Sequence, residues 1–293
     1  MIATTLTGGL GNQMFMYAMV RAMSLRNRVP MAFNTHLGFE TDSVYHRKLE
    51  LNHFNLNLPF SSFSTFDYPM GRWVRKISRN IGCHLLNPKC KFVRDSVECF
   101  HNELLDTSIH DIYLEGYWQS EKYFFDCRET IQNDFQIVTP MSDSVIKELD
   151  VINRFGENTV MIGIRRYQEC LNNKQVPGGI LTKDYYNKAI EMIKSKVDYP
   201  VFVVFCQDYE WAKNNISIED AETYFVKPKF GELASIEDLF LMTHLKHYII
   251  SNSSFYWWGA WLSDYVGKIV IAPTNFTNPH AVCCGWISLS NDN

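Results

Sequence analysis

The chain has 293 residues and a net charge of −4, with 46% hydrophobic and 20% charged residues. That composition supplies a sizeable core and excludes a disordered chain, and the acidic balance argues against nucleic acid as a partner. No apolar run approaches the roughly 18 residues that span a bilayer, and the first residues lack the basic region and long apolar core of a signal peptide.

Residues 2–6 read as a strand. They feed the loop Thr7-Gly8-Gly9-Leu10-Gly11-Asn12-Gln13 and an apolar helix over about 12–25. A glycine loop entering a helix is a natural anion site, because free backbone N–H groups and the helix dipole point outward. Its spacing is neither GxGxxG nor GxxxxGK[ST], and the second strand, 29–34, ends without the acid that would hold an NAD ribose. A dinucleotide fold and a P-loop are therefore both disfavoured. The helix is apolar nearly all round (Met14, Phe15, Met16, Tyr17, Met19, Val20), the mark of core packing.

Residues 36–60 mix polar and aromatic residues without periodicity and read as a long functional loop. The stretch 68–94 carries Arg72, Arg75, Lys76, Arg79, Lys89, Lys91 and Arg94 and no acid. Trp73, Ile77, Ile81 and Leu85 recur every four residues, so part of it is an amphipathic helix. Such a helix either packs its apolar stripe on its own domain or lies on an anionic membrane surface.

A short strand at 112–114 runs into Glu115-Gly116-Tyr117-Trp118-Gln119, and a helix is expected over about 120–135. Pro140 and the helix cap Ser142 mark a join between two domains, 1–140 and 141–293. A helix to about 155 then leads into the strand 159–166, which is apolar and ends in Arg165 and Arg166. From there strands and helices alternate: helix 182–196, strand 201–205, Cys206-Gln207-Asp208 and a short helix, strand 223–226. Next come a helix to about 245 with Ser235 as cap and Asp238 as capping-box partner, and strand 247–250. Ser251-Asn252-Ser253-Ser254, an apolar helix over 255–262 and strand 268–272 complete the series. Such alternation means a parallel, doubly wound sheet.

Arg165 and Arg166, Asp208, and Ser251 to Ser254 all fall at carboxyl ends of strands, where an open α/β sheet binds its ligands. Guanidinium forks, hydroxyls and free N–H groups together suit a diphosphate. With a glycine loop in the first domain, they point to a two-domain transferase of nucleotide-sugar type. The chain has no Asp-x-Asp, a motif that many transferases use to hold a divalent metal on the diphosphate. The arginines would have to neutralise the leaving charge themselves. The eight cysteines, Cys83, Cys90, Cys99, Cys127, Cys170, Cys206, Cys283 and Cys284, contain no CxxC pair, so no metal site is expected. They read as reduced thiols of a cytosolic protein.

Three blocks carry a family resemblance: Gly8-Gly9-Leu10-Gly11-Asn12-Gln13-Met14-Phe15, Ile164-Arg165-Arg166, and Ser251-Asn252-Ser253-Ser254-Phe255-Tyr256-Trp257-Trp258-Gly259-Ala260-Trp261. With Gly116-Tyr117-Trp118-Gln119-Ser120 and Lys122-Tyr123-Phe124, they resemble the bacterial α-1,2-fucosyltransferases of glycosyltransferase family eleven. The resemblance covers nearly the whole chain. It implies an α/β fold of GT-B type, two Rossmann-like domains facing a central cleft, with the acceptor on the side of 1–140 and the donor on 141–293. It also implies GDP-L-fucose as donor substrate, no metal or other cofactor, and inversion at the fucose anomeric carbon. The acceptor would be a galactose-terminated oligosaccharide. By resemblance Arg166 holds the donor diphosphate with help from Arg165. Ser253, Ser254 and Phe255 line the phosphate and fucose pocket, and Gly9, Gly11 and Asn12 reach the donor from the first domain. Asp208 and Asp238 contact the nucleoside. The implied setting is surface-polysaccharide synthesis such as O-antigen, in the cytoplasm at the inner face of the membrane, with a lipid-linked acceptor.

Two departures from the family pattern stand out. The usual strand end is His-x-Arg-Arg-Gly-Asp-Tyr, whereas Gly163 here replaces the histidine and Tyr167-Gln168-Glu169 replace the last three. The block before Asp208 is usually Ser-Asp-Asp and here reads Cys206-Gln207-Asp208. A base for the acceptor hydroxyl is expected in the first half, among His36, Glu40, Asp42, His46 and Glu115. The rival readings are a fucosyltransferase of another linkage and a nonenzymatic sugar-nucleotide or glycan-binding protein of the same fold.

Overall fold

The computed structural model describes residues 1–35, 37–40, 42–43, 45–56, 58, 72–84, 87–96, 99–166, 180–276 and 278–291. The chain divides into two compact units, Met1–Val138 and Thr139–Asn293.

In the first unit, β1 (Ile2–Thr5) leads through the glycine loop into α1 (Leu10–Asn27) and then β2 (Met31–Asn34), with α2 (Leu37–Glu40) behind it. After α3 (Arg72–Ile81) come β3 (Cys83–His84), β4 (Asn87–Arg94) and β5 (Ile112–Glu115), and α4 (Arg128–Asp134) follows. The sheet has the order β2-β1-β5-β4-β3. β1 lies parallel to both β2 and β5, and only β3 runs antiparallel to its neighbour. The chain therefore reverses direction of travel across the sheet between β1 and β5. α1 buries residues on every side, as its composition predicts.

Three sequence expectations change here. Residues 87–94, read only as part of a basic stretch, form β4. Lys89 and Lys91 are exposed while Cys90 and Phe92 are buried, a strand alternation that the charge count concealed and that breaks at Val93, which is buried before the exposed Arg94. The helix expected over 120–135 begins as 3-10 turns at Glu121–Tyr123 and Phe125–Cys127, and only Arg128–Asp134 is α-helical. Arg26 takes the Tyr123 carbonyl from across the unit, which removes that acceptor from the helical ladder. Among the described side chains of α3, Ser78 is buried, whereas Ile77 and Ile81 are 44% and 53% exposed. The described part of the expected apolar stripe faces away from the unit; the side chains of Trp73 and Leu85 lie outside the described residues.

The second unit runs α5 (Asp143–Arg154), β6 (Thr159–Ile164), α6 (Lys183–Lys194), β7 (Val201–Cys206), α7 (Tyr209–Asn215) and β8 (Thr223–Phe225). It continues with α8 (Ala234–Thr243), β9 (His247–Ile249), α9 (Ser254–Leu262), β10 (Val270–Pro273) and β11 (Ile287–Leu289). Its sheet order, β11-β10-β9-β6-β7-β8, is that of a Rossmann sheet, and every pairing is parallel. β6 is buried along its whole length. One face of the sheet packs Val160, Ile162, Phe202, Val204 and Ile249 against α6 residues Tyr186, Ile190 and Ile193. Trp257, Trp258 and Trp261 of α9 are fully buried and pack on one another.

Candidate active site

In the second unit the topological switch point lies between β6 and β9, which pair as Val160↔His247, Met161↔Tyr248 and Ile162↔Ile249. The register sets Arg165 and Arg166, just beyond β6, beside Ser251 to Ser254, just beyond β9. The contact is direct: Arg165 Nη1 donates to Ser253 Oγ at 2.9 Å. Ser253 is the N-cap residue of α9, yet its hydroxyl makes no capping bond to that helix. The hydroxyl serves the arginine, not the helix. Ser254 and Phe255 open α9 and are half-buried.

On the other side β7 pairs with β6 along its full length, ending Ile164↔Cys206. Asp208 then caps α7, accepting from Trp211 N at 3.1 Å. Its other oxygen lies 4.0 Å from Arg166 Nε. The Arg166 guanidinium sits over the Trp211 ring, 3.9 Å from its centre. The Arg166 Nε and the Ser251 hydroxyl are buried and have no hydrogen-bond partner among the described residues. Burial pushes the Cys206 thiol up to about 11, which keeps it protonated at neutral pH.

Tyrosines hold the strand ends. Tyr256 OH donates to the carbonyls of Ile164 and Phe205 at 3.2 and 3.3 Å, and Tyr185 OH to the Ile250 carbonyl at 2.7 Å. Ile164 and Phe205 are the last and next-to-last residues of β6 and β7, and Ile250 directly follows β9. Burial raises both phenols well above the ordinary tyrosine value, so they remain donors at any physiological pH.

Asp238 departs from its sequence reading. α8 begins at Ala234 with Leu233 as N-cap, so Ser235 lies inside the first turn and no capping box forms. The Asp238 carboxylate instead accepts from Lys229 Nζ at 3.0 Å, and Lys229 also pairs with Glu148 of α5 at 3.0 Å. Burial opposes the Lys229 charge, but the two carboxylates outweigh it and raise its pKa. A charged donor in a half-buried setting outcompetes a backbone N–H for the aspartate.

The first unit has its own switch point, between β1 and β5. Gly9 caps α1, and its carbonyl accepts from Asn12 N and Gln13 N at 2.9 and 3.1 Å. Gly11 is buried inside the helix. The Asn12 side chain reaches β5's turn, where its Oδ1 accepts from Gln119 Nε2 at 2.8 Å. That turn needs Gly116: its φ is +143°, and a Cβ there would stand 2.1 Å from Asp95 Cβ. Asp95 in turn accepts from Trp118 N at 2.9 Å. Gln13, fully buried, donates to the carbonyls of Gly8 and Lys48 at 2.9 and 2.8 Å and accepts from Glu50 N at 3.0 Å. Arg47, absent from the sequence reading, also borders the loop: a Cβ on Gly9 would lie 3.7 Å from its Nη1. Of the base candidates, Asp42 accepts from Tyr45 N and Arg47 N, both at 3.0 Å. Glu40 and His46 are exposed, Glu115 is half-buried, and His36 lies outside the described residues.

Two Rossmann-like α/β units, one with arginines and serines joined at its switch point, define a glycosyltransferase of the GT-B class. The chain belongs to glycosyltransferase family 11, whose description, "Glycosyl transferase family 11", matches residues 101–284. It is 30% identical to an α-1,2-colitosyltransferase of Escherichia coli, over 93% of this chain and 91% of that protein. It is also 30% identical to the O-antigen biosynthesis glycosyltransferase WbnK of Escherichia coli, over 92% of each. Galactoside α-(1,2)-fucosyltransferase 2 of Rattus norvegicus matches at 24% identity over 93% of this chain and 69% of its own. The fold is shared with a mutant of Arabidopsis thaliana FUT1 solved in complex with GDP, at a TM-score of 0.53 and 10% identity, covering 92% of this chain and 70% of that one.

Proposed function

We propose that this transferase moves L-fucose from GDP-β-L-fucose to the 2-hydroxyl of a terminal β-galactoside, with inversion, in the synthesis of O-antigen or another bacterial surface polysaccharide. The observation that carries the reading is the Arg165–Ser253 bond across the β6/β9 switch point, with Arg166 beside it. Charge builds on the diphosphate as the fucose carbon takes on oxocarbenium character. Preorganised donors at that charge lower the barrier most. Arg166 is assigned to the diphosphate with Arg165 in support, and Ser253, Ser254 and Phe255 to the phosphate and fucose. Asp208 and Asp238 are assigned to the nucleoside side. By family resemblance, Gly9, Gly11 and Asn12 of the first unit add donor contacts. The colitosyltransferase relative favours a second reading, in which a colitosyl group is transferred with the same linkage.

The test is incubation of the pure protein with GDP-fucose, or with a colitosyl nucleotide, and a panel of β-galactosides. Formation of an α-1,2 product identifies donor and acceptor together; binding of GDP-fucose without transfer to any acceptor would favour the nonenzymatic rival. Turnover is expected to survive excess EDTA, since the chain carries paired arginines and no Asp-x-Asp. Activity lost in EDTA and restored by magnesium or manganese would overturn metal independence.

A lipid-linked acceptor would bring the protein to the inner membrane face, and α3 supports such contact. Ile77 and Ile81 are exposed on it, Lys76 stands beside them, and Lys89, Lys91 and Arg94 are exposed on β4. Each cation near an anionic leaflet contributes roughly 1 kcal/mol, screened beyond about 10 Å at 0.1 M salt. Sedimentation with anionic liposomes should exceed that with neutral ones, fall as salt rises, and fall again when Arg72, Arg75, Lys76 and Arg79 are changed together to glutamine. Equal binding to both liposome types would assign this surface to solubility alone.

A further inference from the structure

Trp211 belongs to no block of the sequence reading and to no assigned role. Its ring lies under the Arg166 guanidinium, 3.9 Å from centre to Cζ. That distance is stacking contact, well inside the roughly 6 Å at which a cation and a ring attract. Among the described residues the remaining restraints on Arg166 are weak. Asp208 stands at 4.0 Å from Nε, outside hydrogen-bond range, and Nε itself is buried without a partner among them. An arginine side chain has several rotatable bonds and samples many rotamers unless something flat or ionic fixes it.

Trp211 is itself well anchored. Its backbone N–H donates to the Asp208 carboxylate at 3.1 Å, its carbonyl accepts from Asn215 Nδ2 at 2.9 Å, and its side chain packs against the sheet core. Asp208 thus fixes the start of α7, α7 presents the indole, and the indole fixes the guanidinium plane. The ring covers one face of the guanidinium.

We infer that Trp211 is a positioning residue that holds Arg166 in the orientation in which it donates to an anionic ligand, the diphosphate of a nucleotide sugar. This rests on the assignment of Arg166 to the donor. A flat ring constrains the plane of the guanidinium without competing for its N–H groups, which a carboxylate at the same place would do. Preorganisation of this kind shows both in affinity and in rate, because ligand binding no longer has to select one rotamer from many.

The test is a double-mutant cycle on GDP affinity, measured by calorimetry on the full chain, with circular dichroism and thermal unfolding of each variant. Trp211→Ala should weaken GDP binding about tenfold in the parent chain and change it little when Arg166 is already alanine. Trp211→Phe should restore most of the loss, since a ring returns, whereas Trp211→Leu, similar in apolar character but without a π face, should not. Equal losses in both backgrounds, or rescue by leucine as good as by phenylalanine, would overturn the inference while leaving the donor site in place. If Arg166→Ala leaves GDP affinity unchanged, the donor assignment falls and the inference with it.

Discussion

Arg166→Ala is expected to lower sugar transfer at least about 100-fold, the scale found when one preorganised donor is removed from a developing charge. The effect should lie mainly in turnover, because charge on the leaving diphosphate is greater in the transition state than in the bound donor. Folding should be preserved. Arg166 follows β6 instead of lying in it, its neighbours Asp208 and Trp211 keep their own helix contacts, and among the described residues its Nε forms no hydrogen bond whose loss would strand a partner. Arg166→Lys should recover only a small part of the rate, since an ammonium keeps the charge but loses the planar fork. The measurement is steady-state transfer alongside a thermal unfolding curve. A folded variant with near-normal turnover would remove Arg166 from the mechanism.

Arg165 should behave differently. It is tied to Ser253 at 2.9 Å, so it joins two strand ends as well as adding charge. Its loss therefore disturbs placement of the β9 turn, not one donor alone. The separation of duties within an adjacent pair follows from chain geometry, in which successive side chains beyond a strand leave in different directions.

The strand-end pattern of this site was legible in the sequence because each member sits at a boundary that hydrophobicity marks. β6 is a run of apolar residues ending in two arginines, and β9 is one ending in serines. Parallel pairing then forces those ends together. The partnership of Arg165 with Ser253 in particular was not legible, because it depends on the register between β6 and β9, strands separated in sequence by two others, β7 and β8. Trp211 was invisible for the same reason: a tryptophan three residues after an aspartate reads as helix packing until the neighbouring strand is placed. Asp238 shows the opposite failure. Its capping-box spacing was present, but tertiary pairing with Lys229 took the carboxylate. In the first unit, β4 was hidden because its lysines dominate composition, while the alternation is short, Lys89 to Phe92, and breaks where Val93 is buried too.

The histidine missing from the β6 strand end has a steric explanation, and it leads to a second large effect. A Cβ built on Gly163 would lie 2.5 Å from Tyr256 Cγ and 2.7 and 2.9 Å from its two Cδ atoms. The aromatic ring lies flat across the strand at this point, and its hydroxyl reaches the carbonyls of Ile164 and Phe205 on either side. Gly163 and Tyr256 thus form one unit, the glycine making room for a ring that satisfies two strand-end carbonyls. Gly163→Ala should cost roughly 2–3 kcal/mol through overpacking, a fall in melting temperature on the order of 5–10 °C. Gly163→His should cost more. Tyr256→Ala alone should also be costly, at about 3–5 kcal/mol, by the general scale for large buried aromatics. In that background, however, Gly163→Ala should add little, because the atoms it would strike are gone. Thermal unfolding of the four chains gives the coupling directly. Costs that simply add would mean that the strand yields at Gly163 independently of the ring, and the absence of the histidine would then need another cause.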